Sequence, residues 1–291
     1  MTESLPAWSR TGPVPFRGSR TPTGWSLPNS ARVAVWIIPN VEFFPLDVPI
    51  PGAGPHVPEV MGFAARDYGA RVGFFRVLDA LREVGARGTA ATNASVVEAY
   101  PEVVAAMRDA KWDVMGHSYT NSIRLSDLSE EEERAEIIRV TQTLTDAFGF
   151  APAGWLGAGL AERWTTLQRL AEIGYRYVAD WTSDDRPNVA GESGLITVPY
   201  SLEVNDKPAF DSRFLTPVEF ADLAIRTFDV LYREGAEEPR VMPIALHPYL
   251  IGVPHRIDSL RRLLGHIAGH DDVWWTVGSE ISDRYRCEAA R

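Results

Sequence analysis

Short, continuous apolar runs alternate along this chain with longer segments whose apolar positions recur every third or fourth residue. The runs at 33–39, 88–92, 112–116, 154–157, 175–179, 195–198, 241–246 and 273–277 carry no polar alternation, which predicts strands covered on both faces. Between them, Phe74, Val77, Leu78 and Leu81 mark the apolar side of a helix over 66–85, ended by Gly85. Asn93 caps a second helix reaching about residue 110, with Ala94, Val97 and Val104 turned inward. Ser129 and four successive glutamates open a third, to residue 148, their acids at the positive end of the helix dipole. Further helices are expected over 161–174, 217–234 (started by Pro217), 256–268 and after residue 277. Strands alternating with helices imply parallel strands joined by helical crossovers. A closed or nearly closed β/α barrel over 32–291 is the reading that follows, with an open doubly wound sheet as the alternative. Residues 1–31 have no period and are rich in Pro, Ser, Thr and Gly. They read as an extended arm whose Trp8, Phe16 and Trp25 dock on the barrel itself or on a neighbouring subunit.

The chain has 291 residues, 45% hydrophobic and 23% charged, so it can bury a full-sized core as one barrel. Its net charge of −10 argues against nucleic acid or an anionic membrane as a partner, since both need clustered Lys and Arg. No stretch reaches the roughly 18 apolar residues of a membrane span. The N-terminal residues lack the pattern of a signal peptide, and the lone Cys287 rules out a disulfide within the chain. Both points lead to the expectation of a cytoplasmic protein.

Candidate chemistry gathers where strands end, which is where α/β folds present reactive groups. Asn40 and Glu42 are one residue apart, so in an extended segment both point to one face. Glu42 there is a general base or metal ligand, or else an ordinary loop acid. The 43–59 segment that follows holds five prolines and no helical period, and loops of that length are usually functional. His117 leaves the 112–116 strand with Asn121 four residues on, the spacing of a two-ligand metal site on a helical turn. A neutral amide replaces imidazole poorly at zinc, so this is half a metal site, a site without metal, or a helix cap at Asn121. His247 leaves the 241–246 strand, placed to give or take a proton near neutral pH. Arg256, in the first turn of the next helix, can receive an anionic or carbonyl group. Trp181, Asp184 and Asp206 follow other strands and supply substrate contacts or orient a histidine; as turn residues they would do neither. Gly157-Ala158-Gly159 offers backbone N–H groups to an oxyanion. His266 and His270 read as structural, and His56 and His255 lie in loops.

Taken in order, Asn40-Val41-Glu42, Gly116-His117, the 154–159 glycines, Asp180-Trp181 with Asp184-Asp185-Arg186-Pro187, Pro199-Tyr200 with Glu203–Asp206, and His247 with 252–256 resemble a known series. Over 32–285 the chain resembles the polysaccharide deacetylase (NodB-like, carbohydrate esterase family 4) superfamily. Within it, the chain looks most like the branch of allantoinases and cyclic imide hydrolases. That resemblance implies a distorted (β/α) barrel of about seven parallel strands. It implies a hydrolase that adds water to a carbonyl of a small cyclic amide, with Glu42, His117 and His247 catalytic. Asn40, Asn121, Trp181, Asp184, Asp206 and Arg256 would hold the ring. Metal-dependent members carry an Asp-Asp first motif and a His-x-x-x-His second motif. Here Glu42, His117 and Asn121 stand in the three ligand positions, so no metal is expected, and a weakly held zinc is the alternative. Competing readings are a metal-dependent N-deacetylase of a small amino sugar and an inactive barrel that binds a small ligand. The arm and the proline-rich loop suggest a homo-oligomer, a dimer or tetramer.

Overall fold

The computed structural model describes residues 5–52 and 54–289, so the first four residues of the expected arm and the last two of the barrel span lie outside it. Nine strands form one sheet: β1 (Val33–Val41), β2 (Thr89–Thr92), β3 (Asp113–Gly116), β4 (Gly154–Trp155), β5 (Tyr177–Val178), β6 (Asn188–Ala190), β7 (Leu195–Thr197), β8 (Arg240–Leu246) and β9 (Val273–Thr276). The order is β6-β7-β5-β4-β3-β2-β1-β8, with β9 also on β1, and every pairing is parallel except β6 with β7. The sheet curls into an incomplete barrel. Past β8 the wall is continued by irregular chain: Val241 N–H donates to Asp185 O at 2.8 Å and Ala245 N–H to Val204 O at 3.0 Å.

Surrounding helices are α1 (Val60–Tyr68), α2 (Phe74–Glu83), α3 (Val96–Ala99), α4 (Pro101–Asp109), α5 (Glu130–Phe148), α6 (Thr166–Ile173), α7 (Asp206–Asp211), α8 (Pro217–Glu234), α9 (Pro248–Ile251), α10 (Ile257–Ala268) and α11 (Gly278–Ala289). Helices α5 and α8 start where expected, at Ser129 and Pro217, each on a reciprocal capping box (Ser129 with Glu132, Thr216 with Glu219). Three expectations need correction. The helix foreseen over 66–85 begins earlier, at Val60, and passes through a π turn at Gly69–Gly73. The helix foreseen over 93–110 is two pieces, because Tyr100, before Pro101, is held out of helical geometry (φ −136°, ψ 63°). Asn93 is not its cap; its amide accepts from Phe43 N–H at 2.8 Å and donates to the His117 carbonyl. Strand β6 and helices α7 and α9 are too short to leave a periodic signature.

Strand β1 is buried along its whole length. Val33, Val35 and Ile37 face the helices, while Ala34, Trp36 and Ile38 fill the barrel interior. The interior is stoppered at the amino-terminal ends of the strands. There Trp25, Leu27 and Ala31 of the arm pack with Ile281 and Tyr285 of α11. Trp25 is 3% exposed and donates its indole N–H to Pro239 O at 3.0 Å. The arm therefore docks on its own barrel. With one end plugged, the open ground lies at the carboxyl ends.

Candidate active site

A cavity of about 360 Å³ opens at those carboxyl ends, lined among others by Asn40, Glu42, Arg66, His117, Asn121, Tyr200, Asn205, His247 and Tyr249. Strand β1 carries Glu42 to its rim, β3 carries His117 and β8 carries His247, each one residue beyond its strand's last residue. Glu42 lies between the two imidazoles, its Oε1 3.6 Å from His117 Nε2 and 3.7 Å from His247 Nε2. Asn121 Nδ2 donates to the same oxygen at 3.0 Å. Glu42 Oε2 is buried with no hydrogen-bond partner among the described residues.

Each imidazole is oriented from behind. His117 Nδ1 lies 2.6 Å from Leu156 O, a group that only accepts, so Nδ1 carries a proton and Nε2 is the nitrogen turned toward Glu42. His247 Nδ1 lies 2.6 Å from Asp206 Oδ1, while its backbone N–H donates to Asp206 Oδ2 at 2.8 Å. Burial alone would lower the His247 pKa, but the carboxylates of Asp206 and Glu42 outweigh it and raise it. Burial likewise works against the Glu42 carboxylate, yet the His247 charge, the His117 contact and the Arg66 charge together hold its pKa below the usual value. Both shifts favour the charged pair, a carboxylate facing an imidazolium.

Of the expected site residues, Glu42, His117, His247, Asn40 and Asn121 meet in this cavity. Asn40 is also a strut, donating from Nδ2 to Leu246 O at 3.2 Å and to Tyr200 Oη at 3.3 Å. Asp206 is wholly buried behind His247 and does not reach the cavity. Trp181 is turned away: Asp180 accepts the Gly157 N–H at 2.8 Å, and the next side chain swings outward to donate to Glu162 Oε2 at 3.1 Å. It lines a neighbouring cavity of about 480 Å³ with Trp8, Glu162, Trp164 and Asp180. Asp184 is spent on Arg186, which it meets at 3.1 Å and which also pairs with Glu238 at 2.5 Å. Arg256 lies over the Phe210 ring at 4.2 Å and donates to Leu250 O, outside the cavity lining. The Gly157 N–H, occupied by Asp180, is not free for an oxyanion.

Tyr200, Tyr249, Arg66, Arg124 and Lys207 also line the cavity and were not foreseen. For Arg66 and Tyr249 a signal existed in Gly69 and Gly73. A Cβ on Gly69 would come 2.5 Å from Tyr249 Cβ, and one on Gly73 2.1 Å from Pro248 O. Glycines four apart mark a helix face pressed against other backbone, here the turn after His247.

The donor set suits zinc poorly. Two of the three inherited ligand positions are filled by Glu42 and His117, but the Asn121 amide presents N–H to Glu42 Oε1, where a metal would need an acceptor. Among the described residues, three His or carboxylate ligand atoms come within 4.8 Å of one another only at Asp229, His266 and His270, on α8 and at the end of α10.

Comparison with known proteins agrees with this fold. The polysaccharide deacetylase family model matches residues 65–178. A Schizosaccharomyces pombe protein described as "Putative polysaccharide deacetylase" is 32% identical over 238 residues, covering 75% of this chain and 74% of that protein. Among solved structures, a "probable Polysaccharide deacetylase" from Pseudomonas aeruginosa PAO1 superposes with a TM-score of 0.82 at 25% identity, covering 99% of each chain. PuuE allantoinase superposes with a TM-score of 0.81 at 25% identity, covering 99% of this chain and 98% of that one.

Proposed function

Because the chain belongs to the polysaccharide deacetylase family, a family of hydrolases, we propose that the Glu42–His117–His247 cavity opens a C–N bond in a small cyclic amide. The reading rests on one observation: Glu42 Oε1 held 3.6 Å from His117 Nε2 and 3.7 Å from His247 Nε2, with the Glu42 pKa lowered and the His247 pKa raised. A water between Glu42 Oε1 and His117 Nε2 gives up a proton as its oxygen adds to a ring carbonyl. His247 passes its Nε2 proton to the ring nitrogen as the C–N bond breaks, leaving a carboxyl group and a free amide. The proton taken by Glu42 then restores His247, 3.7 Å away. Tyr200 is the donor for the oxyanion. Its hydroxyl accepts from Asn40 Nδ2 and Asn205 Nδ2, both at 3.3 Å, and its own proton, resting on Asn40 Oδ1 at 3.5 Å, turns to the oxyanion. None of these steps routes through a metal. The allantoinase likeness and the mismatch of Asn121 with a zinc ligand support ring opening over sugar deacetylation.

The test is ultraviolet-monitored hydrolysis of succinimide, maleimide, hydantoin, dihydrouracil and allantoin, with N-acetylglucosamine alongside, before and after exhaustive chelation. Turnover of a ring that survives chelation and falls ~10²–10⁴-fold in Glu42→Gln is the expected result. Turnover of the acetamide alone, lost on chelation, would replace this reading with the metal-dependent deacetylase.

A further inference from the structure

The charge around the cavity says more about what enters it. The chain carries 39 Asp and Glu against 29 Lys and Arg, so carboxylate partners for arginines are plentiful. Yet three of the residues lining this cavity are cationic, Arg66, Arg124 and Lys207, and Glu42 is the one carboxylate among them. Lys207 is paired with Asp211. Among the described residues, Arg66 and Arg124 have no carboxylate within ion-pair distance.

Arg66 is a built position. Its guanidinium stacks on Phe44 at 4.2 Å and on Tyr249 at 5.0 Å, and Nη1 donates to Gly62 O at 3.0 Å. Its Nε is buried without a hydrogen-bond partner. A planar cation clamped between two rings has lost its side-chain freedom in advance and keeps fork-shaped donors for a planar anion. Arg124 is exposed, across the mouth near Gly159, and adds a long-range positive field.

Resting on the ring-opening reading, we propose that the cyclic amide this enzyme takes carries a carboxylate, which Arg66 binds while Arg124 steers it in. Glu42 is already served by His247 and His117, so the positive charge exceeds what the catalytic carboxylate needs. Among the described residues, Arg66 lines the cavity without a carboxylate partner; a neutral ring leaves it so, and a carboxylated ring would supply one.

The test compares rings that differ only by a carboxylate: hydantoin with hydantoin-5-acetic acid, and dihydrouracil with dihydroorotate. Expected is a kcat/KM at least ~10-fold higher for the acid of each pair, the worth of one charge-assisted hydrogen bond. Arg66→Met should cut that ratio by ~10-fold, and Arg66→Lys should restore part of it. Arg124→Met, on the exposed rim, tests the idea without threatening the fold and should lower the ratio less, in a salt-dependent way. An effect of Arg66 on Glu42 alone would slow both rings equally and leave the ratio untouched. Calorimetric binding of the same pairs separates the two readings. Tighter binding of the acids with no ring opened would sink ring opening and keep the anion site. Rings opened or bound without preference for the acid, or a preference indifferent to both arginines, would overturn the anion site and leave ring opening standing.

Discussion

Replacing Asp206 with Asn changes one atom and should disarm His247. The carboxylate accepts two hydrogen bonds from the same residue, from the backbone N–H at 2.8 Å and from Nδ1 at 2.6 Å. An amide can accept only one of them. If its oxygen keeps the backbone N–H, its NH₂ faces Nδ1 and forces the imidazole proton onto Nε2, the neutral tautomer. The negative charge that raises the His247 pKa is lost at the same time. His247 should then titrate below, rather than above, its ordinary value of about 6.5. With its acid neutral, and so a far weaker proton donor from Nε2, the enzyme should lose ~10²–10⁴ in kcat with little change in KM. Losing charge-assisted bonds in a buried pair also costs stability, roughly 3–5 kcal/mol, a fall of roughly 5–10 °C in Tm. The assay is NMR titration of the imidazole, which needs no substrate, alongside kinetics on whichever ring is turned over. A His247 pKa that stays raised in Asp206→Asn, or a kcat within tenfold of the parent, would refute the dyad.

The pH dependence of stability follows from two shifts of opposite sign. Glu42, with its pKa lowered, contributes stability that is present above about 4.5 and lost as pH falls through its folded value; His247, with its pKa raised, contributes stability that is full below about 6.5 and lost as pH rises through its own. Tm should therefore be highest between those two values and flatten in Glu42→Gln; an unchanged profile in that variant would argue against the ion pair. Gly69→Ala places a methyl 2.6 Å from Tyr249 N and 2.5 Å from its Cβ, backbone and near-backbone that cannot step aside. It should cost roughly 1–3 kcal/mol by chemical denaturation and, by moving Arg66 and Tyr249, lower kcat/KM; full activity would mean the turn after His247 tolerates displacement. Trp25→Ala removes a side chain that plugs the barrel and a hydrogen bond to Pro239 O, and a loss of roughly 3–5 kcal/mol should lower Tm by roughly 5–10 °C. A Tm within 1–2 °C of the parent, roughly the effect of a surface exchange, would show the arm to be dispensable.

The parts of this molecule that could be read in advance are those whose cause is local. Unbroken apolar runs gave away the long strands, Ser129 with its acidic run gave away the start of α5, and Pro217 the start of α8. Polar residues one step past a buried strand pointed to Glu42, His117 and His247, because the strand fixes where they emerge. What escaped has causes distant in sequence. Trp181 and Asp184 stand in motif positions, but their directions are decided by Gly157 N–H and by Arg186. Asp206 was foreseen as a substrate contact or as the orienter of a histidine; that it does the second, and for His247, is decided only once β8 lies beside the 204–205 segment. Arg66 and Tyr249 reach the cavity because two glycines allow the π turn to touch α9, a contact between residues far apart in the chain.

The plug at the bottom of the barrel joins the beginning of the chain to its end. Ser26 donates to Glu288 across 262 residues, and Trp25 packs on Tyr285 of α11. Trp25 and Leu27 are synthesised long before α11, the helix that completes their cover. Until α11 emerges those apolar side chains, and the barrel interior they will stopper, lack the partner that buries them. Folding of this barrel is therefore locked only once α11 is made, and a chain halted before that helix would expose a hydrophobic floor.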